Sequence, residues 1–275
     1  MITTEVMGGF GNQLFQIFNL ISYSLTHKIA FFFENKKTSR IDRPYYWNNF
    51  FISLRPFLRV GSNEGNLSLY KEPNFRYNKI QSFKEINQNF KFFGYFQSYK
   101  YFQDKQDEIY RFIKLNEQVE MFKNEYDYSN FVSLHFRVGD YVNLQQHHPV
   151  MKSTYYIKAL KSLIKCTEND KWTILFFCEE GDIVYVNSQI DIIKQELPNL
   201  TFEKIDSKYA DWQQVLVMSL CQHNIIANSS FSWWGAYFNK NVDKQVYYPS
   251  LWFGPAQGNK NTDDLFPPEW TKIMC

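Results

Sequence analysis

The run FVSLHFRVGDYV, residues 131–142, opens as an apolar strand and closes on a glycine turn crowded with polar groups. Side chains alternate sides along a strand, so His135 and Arg137 share one face while Phe136 and Val138 take the other. A charge at the inner end of an apolar strand costs desolvation unless a partner offsets it. The run therefore reads either as a surface arginine beside a core histidine or as the rim of a ligand site.

From this run to the C-terminus the pattern alternates regularly. It predicts strands over 131–136, 172–178, 200–205, 223–230 and 244–249, separated by helices over 153–165, 182–196, 209–222 and 231–238. Five strands interleaved with helices predict a doubly wound parallel α/β sheet, whose ligands bind outside the carboxyl ends of the strands. The first half starts the same way. A strand over Thr3–Met7, the turn GGFGNQ, a helix with Leu14, Ile17, Phe18, Ile21 and Leu25 at helical spacing, and the buried run KIAFFFE (28–34) begin a second parallel unit. Residues 40–90 carry Pro44, Pro56 and Pro73 and read as loops with short helices. NFKFFGYFQSYKYF (89–102) reads as a strand, a glycine break and a helix running on through DEIYRFIKL (107–115). The charged stretch 116–130 marks the change of domain, giving domains 1–125 and 126–275.

Composition narrows the function. At 275 residues and 44% hydrophobic, the chain has ample material for packed cores, and 30 basic against 28 acidic residues give +2, far from the footprint of a nucleic-acid binder. Any anion must be held locally. The aromatic content of 19% accompanies abundant Phe, Tyr, Asn, Lys and Ile, as A/T-rich codon usage would produce, and is no evidence of function by itself. Cys166, Cys178, Cys221 and Cys275 form neither a Cys-x-x-Cys pair nor a dense framework and read as free thiols in a reducing compartment. The run LFQIFNLISYSL (14–25) is interrupted by Asn19, Ser22 and Ser24, so no signal peptide or membrane anchor is expected, and the sequons at Asn66, Asn199 and Asn228 are expected to go unused. The expected location is the cytoplasm or the cytoplasmic face of a membrane, with peripheral membrane association compatible with the sequence.

The polar residues gather at predicted strand ends. Gly9 and Gly11 match the first two glycines of the dinucleotide fingerprint, but Leu14 stands at the third position, so the fingerprint fails. What survives is a glycine turn that lets backbone approach a ligand, or a plain strand-to-helix turn, with Asn12 and Gln13 opening the helix. Arg137 offers a planar donor fork suited to phosphate, and His135 could donate to a phosphate or a base edge. At IIANSSFSWWGAYF (225–238) a strand ends on Asn228, and Ser229, Ser230 and Ser232 sit where a helix begins, either a helix cap or an anion cradle. Trp233 and Trp234 suit a sugar platform or the core. In FFCEEGD (176–182), Glu179 or Glu180 is placed to accept from a base or ribose, unless both are merely solvated. G-x-S-x-G, P-loop, H-E-x-x-H and D-x-D motifs are all missing, so cationic side chains and helix ends would have to neutralise a leaving diphosphate.

Taken together, GGFGNQLFQ (8–16), GYFQSYKYF (94–102), HFRVGDYV (135–142), MSLCQHNIIANSSFSWWGAYF (218–238) and, more loosely, STYYIKAL (153–160) resemble the α-1,2-fucosyltransferases of glycosyltransferase family 11, in family order over nearly the whole chain. The resemblance implies an α/β architecture of GT-B type, two facing Rossmann-like domains with parallel sheets and the active cleft between them. It implies GDP-L-fucose as donor substrate, bound mainly by the C-terminal domain, and metal-independent, inverting transfer to the 2-hydroxyl of a terminal sugar, galactose, of an oligosaccharide acceptor, with no nucleic-acid partner. Carried over by position, Arg137 binds the diphosphate and assists its departure, His135 lies near the nucleotide, and Ser229 and Ser230 hold phosphate or base. Glu179 meets guanine and Asn12 reaches in from the first domain. Asp140 is a candidate base or a brace of the strand-end loop. The chain departs from the family pattern at Val138, where relatives carry a second arginine, and at Glu179, where they often carry aspartate. Another GDP-linked sugar as donor and a non-catalytic glycan-binding protein remain as alternatives.

Overall fold

The structure, a computed structural model, describes residues 1–35, 43–60, 67–83, 89–258 and 260–275. Two compact units divide it: Met1–Gln118 with Asn261–Pro267, and Val119–Lys260 with Pro268–Cys275. The division thus falls earlier than the expected 125/126, and a short C-terminal stretch returns to the first unit. Local contacts explain the return. Ser98 Oγ donates to the Asp264 carbonyl (2.5 Å), the Tyr77 amide donates to Asp264 Oδ2 (3.1 Å), and Lys100 pairs with the same carboxylate.

The first unit contains β1 (Ile2–Thr4), α1 (Phe10–His27), β2 (Phe33–Glu34), β3 (Leu58–Arg59), β4 (Leu67–Lys71), β5 (Asn89–Phe93), α2 (Gln106–Phe112) and the start of α3 (Leu115–Glu120). Strands order as β1-β5-β4, all parallel; β2 pairs with β3, and a parallel bridge from Ile2 to Phe31 joins the two ladders. Leu14, Phe15, Ile17, Phe18, Leu20 and Ile21 of α1 are wholly buried, which makes it a central helix rather than an amphipathic surface one.

Three expectations change here. The run 28–34 supplies only a two-residue ladder and a bridge from Phe31, whose ring stacks on Phe57 (4.7 Å between rings), to Ile2. The stretch 40–90, part of which (40–42, 61–66 and 84–88) lies outside the described residues together with the Asn66 sequon, contains β3 and β4 besides loops. β4 is the edge strand of its sheet and half-exposed, so no apolar period announces it. The helix expected through 107–115 breaks at Lys114, which takes a left-handed conformation (φ 54°) between α2 and α3.

The second unit is regular: β6 (Phe131–His135), α4 (Ser153–Thr167), β7 (Thr173–Phe177), α5 (Ile183–Glu196), β8 (Thr201–Lys204), α6 (Asp211–Leu220), β9 (His223–Ile225), α7 (Ser230–Phe238), β10 (Val246–Pro249) and β11 (Thr271–Ile273). Its parallel sheet runs β11-β10-β9-β6-β7-β8, one strand more than the sequence predicts. Val132, Leu134, Ile174, Phe176 and Ile225 pack with Tyr155, Tyr156, Leu160 and Ile190 in the core that fixes the strand ends. Trp233 and Trp234 are fully buried and pack edge to face, which assigns them to the core and removes them as a sugar platform. All four cysteines are free. The Asn228 sequon is buried, with its amide nitrogen hydrogen-bonded, whereas Asn199 is exposed. Among the described residues no helix is long and apolar enough to cross a membrane.

Candidate active site

In the second unit's sheet the chain winds from β6 outward to β8 and then from β9 outward to β11, so the connections diverge between the neighbours β6 and β9. Such a reversal opens a crevice at the carboxyl ends of the two strands, the ligand position of open α/β sheets. His135 closes β6, and Asn228 and Ser229 join β9 to α7 at this point.

The ladder stops at His135, and beyond it the candidate residues reach different partners. Strand alternation puts His135 and Arg137 side by side, but the histidine turns toward α7 and the arginine toward the end of β7. His135 is buried; its Nδ1 lies 2.9 Å from Ser232 Oγ, its ring is 5.3 Å from that of Phe231, and its carbonyl accepts from the Tyr156 hydroxyl at 2.9 Å. Burial, aided by the Arg137 charge, pushes its pKa down to about 3, so the imidazole is neutral and braces the first turn of α7.

The Arg137 guanidinium forks between two carboxylates, Nη1 donating to Glu179 Oε1 and Nη2 to Asp140 Oδ1, with its carbon 4.9 Å from the centre of the Tyr141 ring. Burial opposes its charge, but Asp140 and Glu179 outweigh that and hold its pKa above the ordinary value. The arginine side chain is 18% exposed, while Asp140 and Glu179 are 50% and 58% exposed. A planar fork facing two anionic groups that water already reaches matches what a diphosphate would present. Glu179, which the resemblance sends to guanine, pairs with Arg137 in this structure. Gly139 has φ +36°, its amide donates to Asp182 Oδ2 (2.8 Å), and a Cβ there would lie 3.0 Å from Glu179 Oε2, so glycine is needed for both the turn and the carboxylate beside it.

The second candidate element is the start of α7. Ser229 caps it, its Oγ accepting from the Phe231 amide at 3.3 Å, and Ser230 opens the helix. Asn228 Nδ2 donates to the carbonyls of Pro149 (2.9 Å) and Trp252 (3.3 Å), bracing the loops around the site, and its Oδ1 is buried with no hydrogen-bond partner. The first-turn amides of a helix favour an anion through their orphan N–H groups and the helix dipole.

Gly9, Gly11 and Asn12 form a separate group in the first unit. The positive φ of the turn belongs to Gly8 (+80°), where a Cβ would sit 2.7 Å from Asn12 Nδ2; Gly9 is the cap of α1 with open space beside it, and Gly11 is buried in the first helical turn. Asn12 Oδ1 accepts from Gln97 Nε2 at 2.7 Å. Gln13 Nε2 donates to the carbonyls of Gly8 (3.0 Å) and Pro44 (2.8 Å), and Gln16 bonds both backbone groups of Met7, so α1 pins its own glycine turn.

Sequence reading alone misses Tyr141, Asp182 and Gln97 as parts of these sites. Tyr141 lies inside the quoted strand-end run, Asp182 inside FFCEEGD and Gln97 inside GYFQSYKYF, but nothing in those runs singles them out.

Comparison with known proteins gives these sites their context. Residues 1–274 match the profile described as Glycosyl transferase family 11. An α-1,2-colitosyltransferase of Escherichia coli is 27% identical over 299 residues, spanning 99% of this chain and 99% of the relative. The O-antigen biosynthesis glycosyltransferase WbnK, also of Escherichia coli, is 28% identical over 200 residues, 66% of this chain and 61% of that protein. Among solved structures, Escherichia coli ADP-heptose LPS heptosyltransferase II superposes over 99% of this chain and 89% of its own, with TM-score 0.52 and 10% identity, a likeness of fold. With a family match across both units and two parallel α/β sheets of the GT-B class, the chain belongs to glycosyl transferase family 11 and is a glycosyltransferase.

Proposed function

We propose that this enzyme moves L-fucose from GDP-L-fucose to the 2-hydroxyl of a terminal galactose on a glycan, with inversion and without a metal ion. The observation that carries the reading is the Arg137 fork at the switch point of the second sheet, whose N–H groups donate to two carboxylates that solvent already reaches. In the reaction the bond from the anomeric carbon to the β-phosphate oxygen breaks and a bond to the acceptor oxygen forms on the opposite face. Negative charge grows on the diphosphate, where a guanidinium and helix amides stabilise the transition state more than the ground state. The acceptor proton goes to Asp140, whose carboxylate is half-exposed and released from Arg137 once the diphosphate takes the fork. An arginine and the α7 terminus supplying the positive character is what supports the metal-independent reading.

The second reading is a different GDP-linked sugar. It is favoured by the full-length likeness to a colitosyltransferase and by Val138, which occupies the position of the family's second arginine and is buried in the core. The α-1,2 linkage in that relative's name and the O-antigen role in that of WbnK support the linkage and the acceptor class.

Mass spectrometry of mixed oligosaccharides incubated with a panel of GDP-sugars tests both. A fucose mass increment on galactose-terminated acceptors supports the first reading. Transfer confined to another donor selects the second, and glycan binding with neither GDP binding nor transfer rejects both in favour of a non-catalytic lectin.

A further inference from the structure

Arg137 and the start of α7 follow different strands, β6 and β9, and one side chain reaches toward both. The Tyr141 ring underlies the Arg137 guanidinium at 4.9 Å, and its hydroxyl donates to the carbonyl of Asn228, the residue before the α7 cap, at 3.4 Å. The ring is itself supported. His148 stacks on it at 4.8 Å with the planes 23° apart, and the His148 amide donates to the Leu144 carbonyl at 2.7 Å. That loop is tied to the one at 252–258 by Gly254 N to His147 O (2.9 Å) and Ala256 N to Gln146 O (2.8 Å). Tyr141 thus stands on a braced platform.

We infer that Tyr141 is a positioning residue for transfer: its ring fixes the plane of the Arg137 fork relative to the α7 terminus when a diphosphate displaces the two carboxylates. The inference rests on the diphosphate reading of the site. Of the partners that hold Arg137, Glu179 and Asp140 are anions that a phosphate must replace, and the ring is the one that a bound anion leaves in place. A cation above an aromatic face is attracted by the ring quadrupole, so the ring restrains the plane of the guanidinium without competing for its N–H groups. The hydroxyl bond is long, so the ring carries more of the effect than the hydroxyl.

The experiment compares wild type, Tyr141→Phe and Tyr141→Leu in steady-state transfer, GDP calorimetry and thermal melting, and repeats Tyr141→Leu on an Arg137→Ala background. Leucine is expected to lower kcat by about tenfold or more while the acceptor KM stays put, phenylalanine by no more than about threefold, and the leucine effect to vanish when Arg137 is already absent. Equal losses in the leucine and phenylalanine variants, a wild-type kcat for Tyr141→Leu, or an undiminished leucine effect without Arg137 would overturn the positioning role. Wild-type protein that does not bind GDP would instead overturn the diphosphate reading itself, and the inference with it.

Discussion

Lys91 in the first unit and Arg137 in the second are each held between two carboxylates, and the two clusters differ in how far water reaches them. In the first unit Lys91, in the middle of β5, reaches Glu5 just after β1 (2.5 Å) and Glu34 in β2 (2.9 Å). The three side chains are only 14%, 8% and 9% exposed. In the second unit Arg137 lies just past the end of β6, and its carboxylates are half open to water. The closed cluster ties three neighbouring strands together, and removing its cation would leave two carboxylates close together with little access to solvent. The open cluster can exchange its partners, because Asp140 and Glu179 lose little by turning to water. Similar clusters therefore make a closed brace in one place and, in the other, the solvent-reached pairing on which the proposed anion grip rests.

The sharpest way to break this contrast is to remove each cation. Arg137→Ala is expected to lower kcat/KM by about a thousandfold while the melting temperature stays within a few degrees of wild type, measured by transfer kinetics and calorimetry on one preparation. Lys91→Met should do the reverse. It leaves two buried carboxylates facing each other and costs about 3 kcal/mol in denaturant unfolding, with near-normal specific activity in the protein that stays folded. Near-normal stability of Lys91→Met would erase the distinction, and making Glu5→Gln and Glu34→Gln in the same chain should restore most of what the single variant loses.

A smaller effect separates the buried histidines from the open cluster. His135 and His223 have folded-state pKa values of about 3 and about 4, both lowered first by burial. Their unfolded pKa is near 6.5, so below that pH the unfolded chain binds more protons than the folded one. Stability is expected to be full above about pH 6.5 and to fall steadily as the pH drops toward about 4, which a pH series of urea melts reads directly. A flat profile between those values would contradict the neutral, bracing role of His135. The smallest effect belongs to Glu179→Gln, expected to change stability by less than about 1 kcal/mol and to tighten GDP binding by up to about threefold, since a competing anion leaves the fork.

How much of this was legible depended on where each residue sits. In the second unit β6, β7, β9 and β10 are buried and β8 is flanked by the buried Leu200 and Ile205, so all five runs were found, whereas β11, with two of three residues exposed, carried no periodic signal. In the first unit β2 and β3 are two residues long and β4 is a half-exposed edge. The return of 261–267 rests on the grip on Asp264, which no local pattern encodes. Arg137, Asp140 and Ser229 were legible because polar residues ending apolar strands are conspicuous. Tyr141 was not, since its role comes from contact with Arg137 and with the backbone beyond β9, a pairing that only the parallel sheet creates. Glu179 was found, but its partner was not, because the partner is set by the packing of β6 against β7.

The most direct test of the central claim is calorimetric titration of wild type and Arg137→Ala with GDP in the presence of a chelator. The arrangement of fork and helix terminus predicts saturable binding by the wild type without any divalent ion and a loss of at least about tenfold in affinity on removing the guanidinium. Equal affinity in the two proteins, or binding that returns only when a divalent metal is added, would contradict it.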